Sequence, residues 1–300
     1  MLWKDALTDF LNYLKLERGL SQNSIENYRF DVLKLIRFLS DHNNPISPID
    51  IQTSDVQTFV YESSKSLKPP SQARLLSGLR LFFDYLMLED LRKTNPINLI
   101  ESPKLGSNLP TTLSVAEVDA LIASFDNDKP LELRNMAIVE LLYSCGLRVS
   151  ELVSLRLSDL FFEEELIKVL GKGNKERFVP IANSARKYII QYLQHRVVPT
   201  RGQEDFLFLN NRGKHLTRAM VFLIIRRAAA KAGIDKKISP HSLRHSFATH
   251  LVENGADIST VQQMLGHANI TTTERYLHMS KKHLKKSFRS KHVFLSQILT

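Results

Sequence analysis

The chain contains six side chains that together could carry out one reaction on a phosphate ester. In sequence order they are Arg148, Lys172, His241, Arg244, His267 and Tyr276. Two planar guanidinium groups can bind both non-bridging oxygens of one phosphate. Imidazoles exchange protons near neutral pH, and a phenol supplies a hydroxyl group that can act as the nucleophile. With an ammonium group as a proton donor, this set suits a phosphoryl transfer that needs no metal ion.

Each of these residues also has an ordinary structural explanation. Arg148 could be a surface arginine paired with Glu151, and Lys172 could be a solvated turn residue. His267, just after a glycine, could bind the last carbonyls of a helix. Tyr276 could be a packing residue, because a free phenol has a pKa of about 10 and needs positive neighbours and a base to become a nucleophile. The chemical interpretation therefore depends on the complete set.

Several histidines close together raise the alternative of a metal site. His241, His245 and His250 fall in one predicted helix that opens after Ser239-Pro240. Their spacings of four and five residues, with no nearby cysteine or carboxylate ligand, disfavour zinc. His241 and Arg244 lie three positions apart and are expected to project from the same face. His245 and His250 are expected to be structural.

The whole ordered set resembles the signature of a known family. Arg148, Lys172, His241-x-x-Arg244, His267 and Tyr276 match the pattern of the tyrosine recombinase (phage integrase) family. The N-terminal stretch from Leu14 to Ile25 and the compact length resemble the XerC/XerD branch of that family. The resemblance covers essentially the full chain, apart from a C-terminal tail at 293–300.

The resemblance implies an enzyme that cuts and rejoins duplex DNA through a 3′-phosphotyrosyl intermediate. Tyr276 is then the covalent nucleophile, and Arg148 and Arg244 are the two catalytic arginines that neutralise the phosphate. Glu151 is a candidate for orienting Arg148.

The same resemblance assigns the remaining proton transfers and the cofactor requirement. Lys172 acts as general acid for the leaving 5′-oxygen, and His241 and His267 exchange protons or hydrogen-bond the phosphate. No cofactor and no metal ion are expected. ATP use is not implied either, because the sequence contains no G-x-x-x-x-G-K-[ST] loop.

The expected partner is double-stranded DNA with an inverted-repeat recombination site, held between the two domains. Family members work as tetramers, so the resemblance implies a homo- or hetero-tetramer with a second Xer-type recombinase, and a DNA translocase as a possible regulator. The short N-terminus favours a resolver of chromosome dimers over a mobile-element integrase. A type IB topoisomerase and a DNA-binding protein without activity remain as alternatives.

Composition agrees with a polyanionic partner. Residues 1–102 carry 12 Lys+Arg against 13 Asp+Glu, a net charge of −1, whereas residues 103–300 carry 29 against 18, a net charge of +11. A generic basic surface is the alternative explanation, but backbone neutralisation of DNA is the natural one. The single cysteine, Cys145, excludes an internal disulfide and is expected to be buried. The chain has neither a signal-peptide pattern nor a membrane-length apolar run, and so is expected in the cytoplasm.

The predicted fold is mainly α, with two domains. Residues 1–102 contain four apolar helical stripes that can close a SAM-like N-terminal bundle for DNA binding. A proline-containing linker at 103–112 follows, with a loop inside one larger fold as the alternative. Residues 113–300 form an α-rich catalytic domain, which opens on the capping box Ser114-x-x-Glu117.

The catalytic domain is expected to contain one small antiparallel β-hairpin. Segments 166–170 and 177–181 are strand-like, and glycines and an asparagine between them favour a turn that carries Lys172. Near the C-terminus, a basic helix with Leu284 and Phe288 suits docking on a neighbouring subunit, or else lies on DNA as a basic tail. The role of the apolar ending at 293–300 is left open.

Overall fold

A computed structural model describes residues 1–104, 111–171 and 175–265, apart from the side chain of Gln263. It contains two compact units, Met1–Asn108 and Leu109–Thr300. The division falls inside the predicted linker, whose residues 105–110 lie outside the described part, so the linker itself stays a prediction. Helices dominate both units and the second also holds a small antiparallel sheet, which confirms the predicted fold class.

Four helices form the described part of the first unit. They are α1 (Trp3–Leu16), α2 (Gln22–Asp41), α3 (Thr53–Ser64) and α4 (Pro69–Leu88). The hydroxyl of Ser21 caps α2 by accepting the Ser24 N–H, as its position before the apolar stripe predicts. Each helix turns its apolar stripe inward, and rings such as Phe10 and Phe82 meet edge to face with centroids 5.3 Å apart.

One buried carboxylate of this bundle pairs with an arginine that is itself half-exposed. Asp31 on α2 is fully buried and accepts two hydrogen bonds from the guanidinium of Arg74 on α4, at 2.5 and 2.7 Å. Gly78, one turn further along α4, leaves no room for a Cβ because that atom would overlap the Asp31 carboxylate. The two helices therefore approach closely around a paired charge.

The described residues of the second unit form further helices and one sheet. In chain order they are α5 (Val115–Ala123), α6 (Pro130–Ser144), α7 (Val149–Ser154), a 3-10 turn (Leu157–Asp159), β1 (Leu160–Phe161), β2 (Leu166–Leu170), β3 (Glu176–Pro180), α8 (Asn183–Gln194), α9 (Arg218–Lys231), α10 (Pro240–Glu253) and α11 (Ile258–Met264). The predicted capping box of Ser114 and Glu117 opens α5. In the described residues no helix is long and apolar enough to span a bilayer.

The sheet has the antiparallel order β1-β2-β3. The β2–β3 hairpin forms where the sequence predicts it, with β3 one residue earlier than expected, and it pairs Leu166 with Pro180 and Leu170 with Glu176. Residues 172–174, between the two strands, lie outside the described part. Strand β1 was not predicted, because two residues are too few for a period-2 pattern to stand out.

The core of the second unit surrounds α6, which is buried on most of its surface. Cys145 follows this helix and is buried, as expected, and burial raises the pKa of its thiol to about 12. A separate apolar cluster packs α11 against α10; its buried members are Phe247, Leu251, Val261, Met264 and Leu265. This cluster brings the end of α11 close to the turn between α6 and α7.

Candidate active site

Arg148 is held at the start of α7 by its own helix. It is the N-cap residue, and the carboxylate of Glu151, three residues later, accepts the Arg148 backbone N–H at 2.8 Å and a side-chain N–H at 2.9 Å. The preceding turn needs a glycine, because Gly146 has φ +57° and an added Cβ would lie 2.5 Å from the Phe247 ring. The Arg148 side chain remains 31% exposed, which leaves it accessible to a ligand.

The Arg244 side chain extends from α10 to the turn that precedes α7. Its side chain is 6% exposed and donates to the carbonyl of Gly146 at 2.6 Å and to the carbonyl of Leu265 at 2.5 Å. Its Nη1 atom lies 4.0 Å from Glu151 Oε2. Burial and the nearby charge of Arg148 lower the pKa of Arg244 to about 10, while Glu151 acts in the opposite direction. The guanidinium therefore remains a cation at neutral pH.

Glu151 is the common partner of these arginines. Its side chain is 1% exposed, and Arg177 on β3 binds both of its oxygens, at 2.8 and 3.0 Å. Burial by itself would raise the pKa of Glu151, but the hydrogen bonds and charge of Arg177, followed by the bonds from Arg148, hold it below the usual range. One carboxylate thus lies among three guanidinium groups.

Arg177 was not among the predicted site residues. Its position on β3, after the hairpin turn, could have indicated a buried role from the sequence. Side chains alternate between the two faces of a strand, so Arg177 shares a face with the buried Val179. A cation on the inward face of a strand requires a buried counter-charge. The sequence alone does not say that Glu151 supplies it.

His241 lies in the first turn of α10, three residues before Arg244, and is exposed. Ser239 caps the helix and Pro240 is its first residue, so the backbone of His241 belongs to the amino-terminal turn. His245 is half-buried on the same helix, and the His250 ring is hydrogen-bonded to the Tyr143 hydroxyl at 2.9 Å.

Lys172, His267 and Tyr276 lie outside the described residues, so their placement stays a prediction. The residues beside two of them are described. Gly171 donates its N–H to the carbonyl of Lys175 at 2.7 Å and so closes the base of the hairpin that carries Lys172. Leu265, whose carbonyl accepts a hydrogen bond from Arg244, is the last described residue before His267.

Of the predicted residues, the structure brings Arg148 and Arg244 together around Glu151 and places His241 on the same helix as Arg244. Three guanidinium groups against one carboxylate leave an excess positive charge at this point. Such a cluster suits an anion with several oxygens, above all a phosphate diester.

Comparison with known proteins agrees with this chemistry. Residues 111–283 match the model of the phage integrase family, and residues 7–90 match the phage integrase N-terminal SAM-like domain. The chain therefore belongs to the phage integrase family, whose members are tyrosine recombinases.

Whole-length relatives narrow the class further. The chain is 40% identical over 292 residues to tyrosine recombinase XerD of Listeria innocua serovar 6a, covering 96% of this chain and 98% of that protein. It is 43% identical over 290 residues to tyrosine recombinase XerD of Yersinia pestis, covering 95% and 96%. The post-cleavage complex of the XerH site-specific recombinase on a palindromic difH substrate superposes with a TM-score of 0.69 at 25% identity, covering 94% of this chain and 83% of that one.

These similarities confirm the predicted functional class. The protein is a Xer-type tyrosine recombinase, an enzyme that cleaves and rejoins DNA by transesterification.

Proposed function

We propose that this enzyme recombines duplex DNA at an inverted-repeat site, with Arg148, Lys172, His241, Arg244, His267 and Tyr276 as its catalytic residues. The observation that carries the proposal is the gathering of Arg148 and Arg244 around one buried carboxylate. These two guanidinium groups can neutralise the equatorial oxygens of a phosphate in the transition state.

The proposed reaction exchanges one phosphodiester for another. The hydroxyl oxygen of Tyr276 attacks phosphorus in line, its proton passes to a histidine, and the bond from phosphorus to the 5′-oxygen breaks. Lys172 protonates that oxygen, and a 3′-phosphotyrosyl bond replaces the original ester. His241 and His267 hydrogen-bond the phosphate or carry protons. Reversal with a new 5′-hydroxyl restores the backbone, so the bond energy is conserved and no nucleotide is consumed.

The biological setting that we propose follows from the relatives. XerH is described on its difH substrate, and whole-length similarity to XerD proteins supports the same kind of site here. Two pairs of subunits would then meet as a tetramer, with this chain alone or with a second Xer-type recombinase. Resolution of chromosome dimers in the cytoplasm, before cell division and under the control of a DNA translocase, is the corresponding role.

The test is a covalent adduct. The protein is incubated with a duplex that is nicked near the scissile phosphate, so that the cleaved strand diffuses away and the product accumulates. We expect an SDS-resistant protein–DNA band that is lost in Tyr276→Phe. Persistence of that band in Tyr276→Phe would contradict the assignment of the nucleophile.

A second measurement separates recombination from its alternatives. Exchange of flanking sequences between two copies of the bound site supports a recombinase, whereas relaxation of supercoils without exchange supports a topoisomerase. DNA affinity should also fall about 100-fold or more between 50 and 200 mM salt, because neutralising even four phosphates releases counterions from the duplex. An affinity that is independent of salt would contradict backbone recognition by the basic second unit.

A further inference from the structure

The Arg177 side chain joins three separate segments of the second unit. Its Nη1 and Nη2 atoms donate to the two oxygens of Glu151 on α7, at 2.8 and 3.0 Å. Its Nε atom donates to the carbonyl of Met264 at the end of α11, at 3.3 Å. A Cβ added to Gly171, at the base of the hairpin, would lie 3.2 Å from Arg177 Nη1.

Each of these segments leads directly to a proposed catalytic residue. Helix α7 begins after Arg148, the hairpin base precedes Lys172, and the end of α11 precedes His267. Arg177 itself is only 12% exposed on its side chain, compared with 31% for Arg148. Its guanidinium nitrogens donate to Glu151 and to the Met264 carbonyl, so Arg177 is placed to act on the site through other residues.

We propose that Arg177 is a positioning residue of the recombinase. Its guanidinium fixes the orientation of the Glu151 carboxylate, which in turn fixes Arg148 and faces Arg244, and it ties β3 to the end of α11. The inference rests on the proposed function, because it names a residue that prepares the same site for the same phosphate.

The geometry requires an arginine at this position. All three nitrogen atoms of the guanidinium donate to the protein, two toward one carboxylate and one toward a carbonyl on another helix. A lysine ammonium carries the same charge but is a point donor that cannot span these acceptors. If only the charge of Arg177 mattered, lysine would therefore serve equally well.

The experiment compares Arg177→Lys with a matched control, Arg186→Lys. Arg186 lies on α8 in the same unit and also faces a glutamate, Glu163, but at 3.9 Å and on the surface. Both variants keep the net charge. On the nicked duplex we expect adduct formation by Arg177→Lys to slow about 10- to 100-fold, since displacing a catalytic group by about 1 Å costs that much. The control should match the unmodified chain, and both variants should bind DNA within about twofold of it.

A second substrate separates positioning from general loss of structure. A methylphosphonate at the scissile position carries no negative charge and depends less on the paired guanidinium groups. We expect the defect of Arg177→Lys to be several-fold smaller on this substrate than on the phosphate. An equal defect on both, together with a lowered melting temperature, would show a merely structural role and overturn the proposal, as would a rate equal to that of Arg186→Lys.

Hydrogen exchange tests the contacts without any cleavage. In Arg177→Lys we expect faster exchange of the Gly171 and Leu265 amides, which donate at 2.7 and 3.0 Å to Lys175 and Val261. If the unmodified chain forms no adduct, the proposed function fails and the positioning role, which rests on it, fails as well. In a chain that forms the adduct, the exchange of these two amides tests the positioning role alone. Unchanged exchange at both amides overturns it.

Discussion

The carboxylate of Glu151 lies 4.0 Å from the guanidinium of Arg244, although the two residues come from different helices and are far apart in the chain. Glu151 is at the same time 2.9 Å from Arg148, so one buried negative charge faces both of the proposed catalytic arginines. Like charges brought this close repel one another unless a counter-charge is present. Glu151 thus allows the two guanidinium groups to be held close together.

Arg244→Lys should leave DNA binding nearly intact and slow cleavage by about 10²- to 10³-fold. Lysine keeps the charge but cannot reproduce a planar fork, and loss of one such preorganised donor has a cost of this size. The measurement is single-turnover adduct formation on the nicked duplex. Arg226→Lys, an exposed change on α9, is the matched control. A rate within threefold of the control would remove Arg244 from the proposed mechanism.

Glu151→Gln should lower both activity and stability. Removal of the shared counter-charge leaves three guanidinium groups facing one another, and breaking a buried pair typically costs about 3 kcal/mol in the free energy of unfolding. Cleavage should slow as well, because Arg148 and Arg244 would then move apart. Urea unfolding and adduct kinetics measure the two effects, with Glu163→Gln as the exposed control.

The stability difference between Glu151 and its glutamine variant should also depend on pH. The pKa of Glu151 is lowered in the folded protein, so the folded state favours the ionised form. Its stabilising contribution is complete above the usual carboxyl pKa and is lost as the pH falls through the lower, folded value. The gap in unfolding free energy between the two proteins should therefore narrow on acidification below about pH 4. A gap that widens there would show that Glu151 is not held by these cations.

Glu140→Gln should stabilise the protein, and more so at high pH. Glu140 is 3% exposed on α6, and burial raises its pKa although the Ser184 hydroxyl donates to it at 2.6 Å. A raised pKa means that the folded state prefers the protonated form, so stability is lost as the pH rises through that value. Glutamine keeps the acceptor oxygen without the charge. Melting temperatures at pH 5 and pH 8 test this, with the exposed Glu164→Gln as control; a variant that is less stable at both pH values would refute it.

Gly78→Ala should destabilise the first unit by up to about 2 kcal/mol, the difference between the overpacking cost and the helix-propensity gain. Alanine normally gains about 1 kcal/mol over glycine inside a helix. Here its methyl group would overlap the Asp31 carboxylate, which cannot retreat because it is fully buried and bound by Arg74, and overpacking costs about 1–3 kcal/mol. Hydrogen-exchange protection in α2 and α4 measures the effect. The control Ser77→Ala, on the exposed side of α4, should change this protection little. Increased protection in Gly78→Ala would contradict the prediction, because it would mean that α2 and α4 can move apart enough to accept the methyl group.

Much of the fold could be predicted from residue types and spacing alone. Ser21, Ser114 and Thr217 each cap a helix by accepting an N–H three residues later, which is a local interaction. The β2–β3 hairpin follows in the same way from two strand-like segments around a glycine turn. The sequence does not predict strand β1, because the pairing of β1 with β2 depends on tertiary context more than on its own two residues.

The sequence by itself determined the chemical inventory, because the order and spacing of the arginines, histidines, lysine and tyrosine define the family without any coordinates. Only the tertiary structure decided that Arg177 and Arg244 join Arg148 around the same buried carboxylate. The physical reason is the distance along the chain over which each interaction acts. Capping and turn preferences act over a few residues, whereas these ion pairs join α7, β3 and α10 through the packing of the second unit.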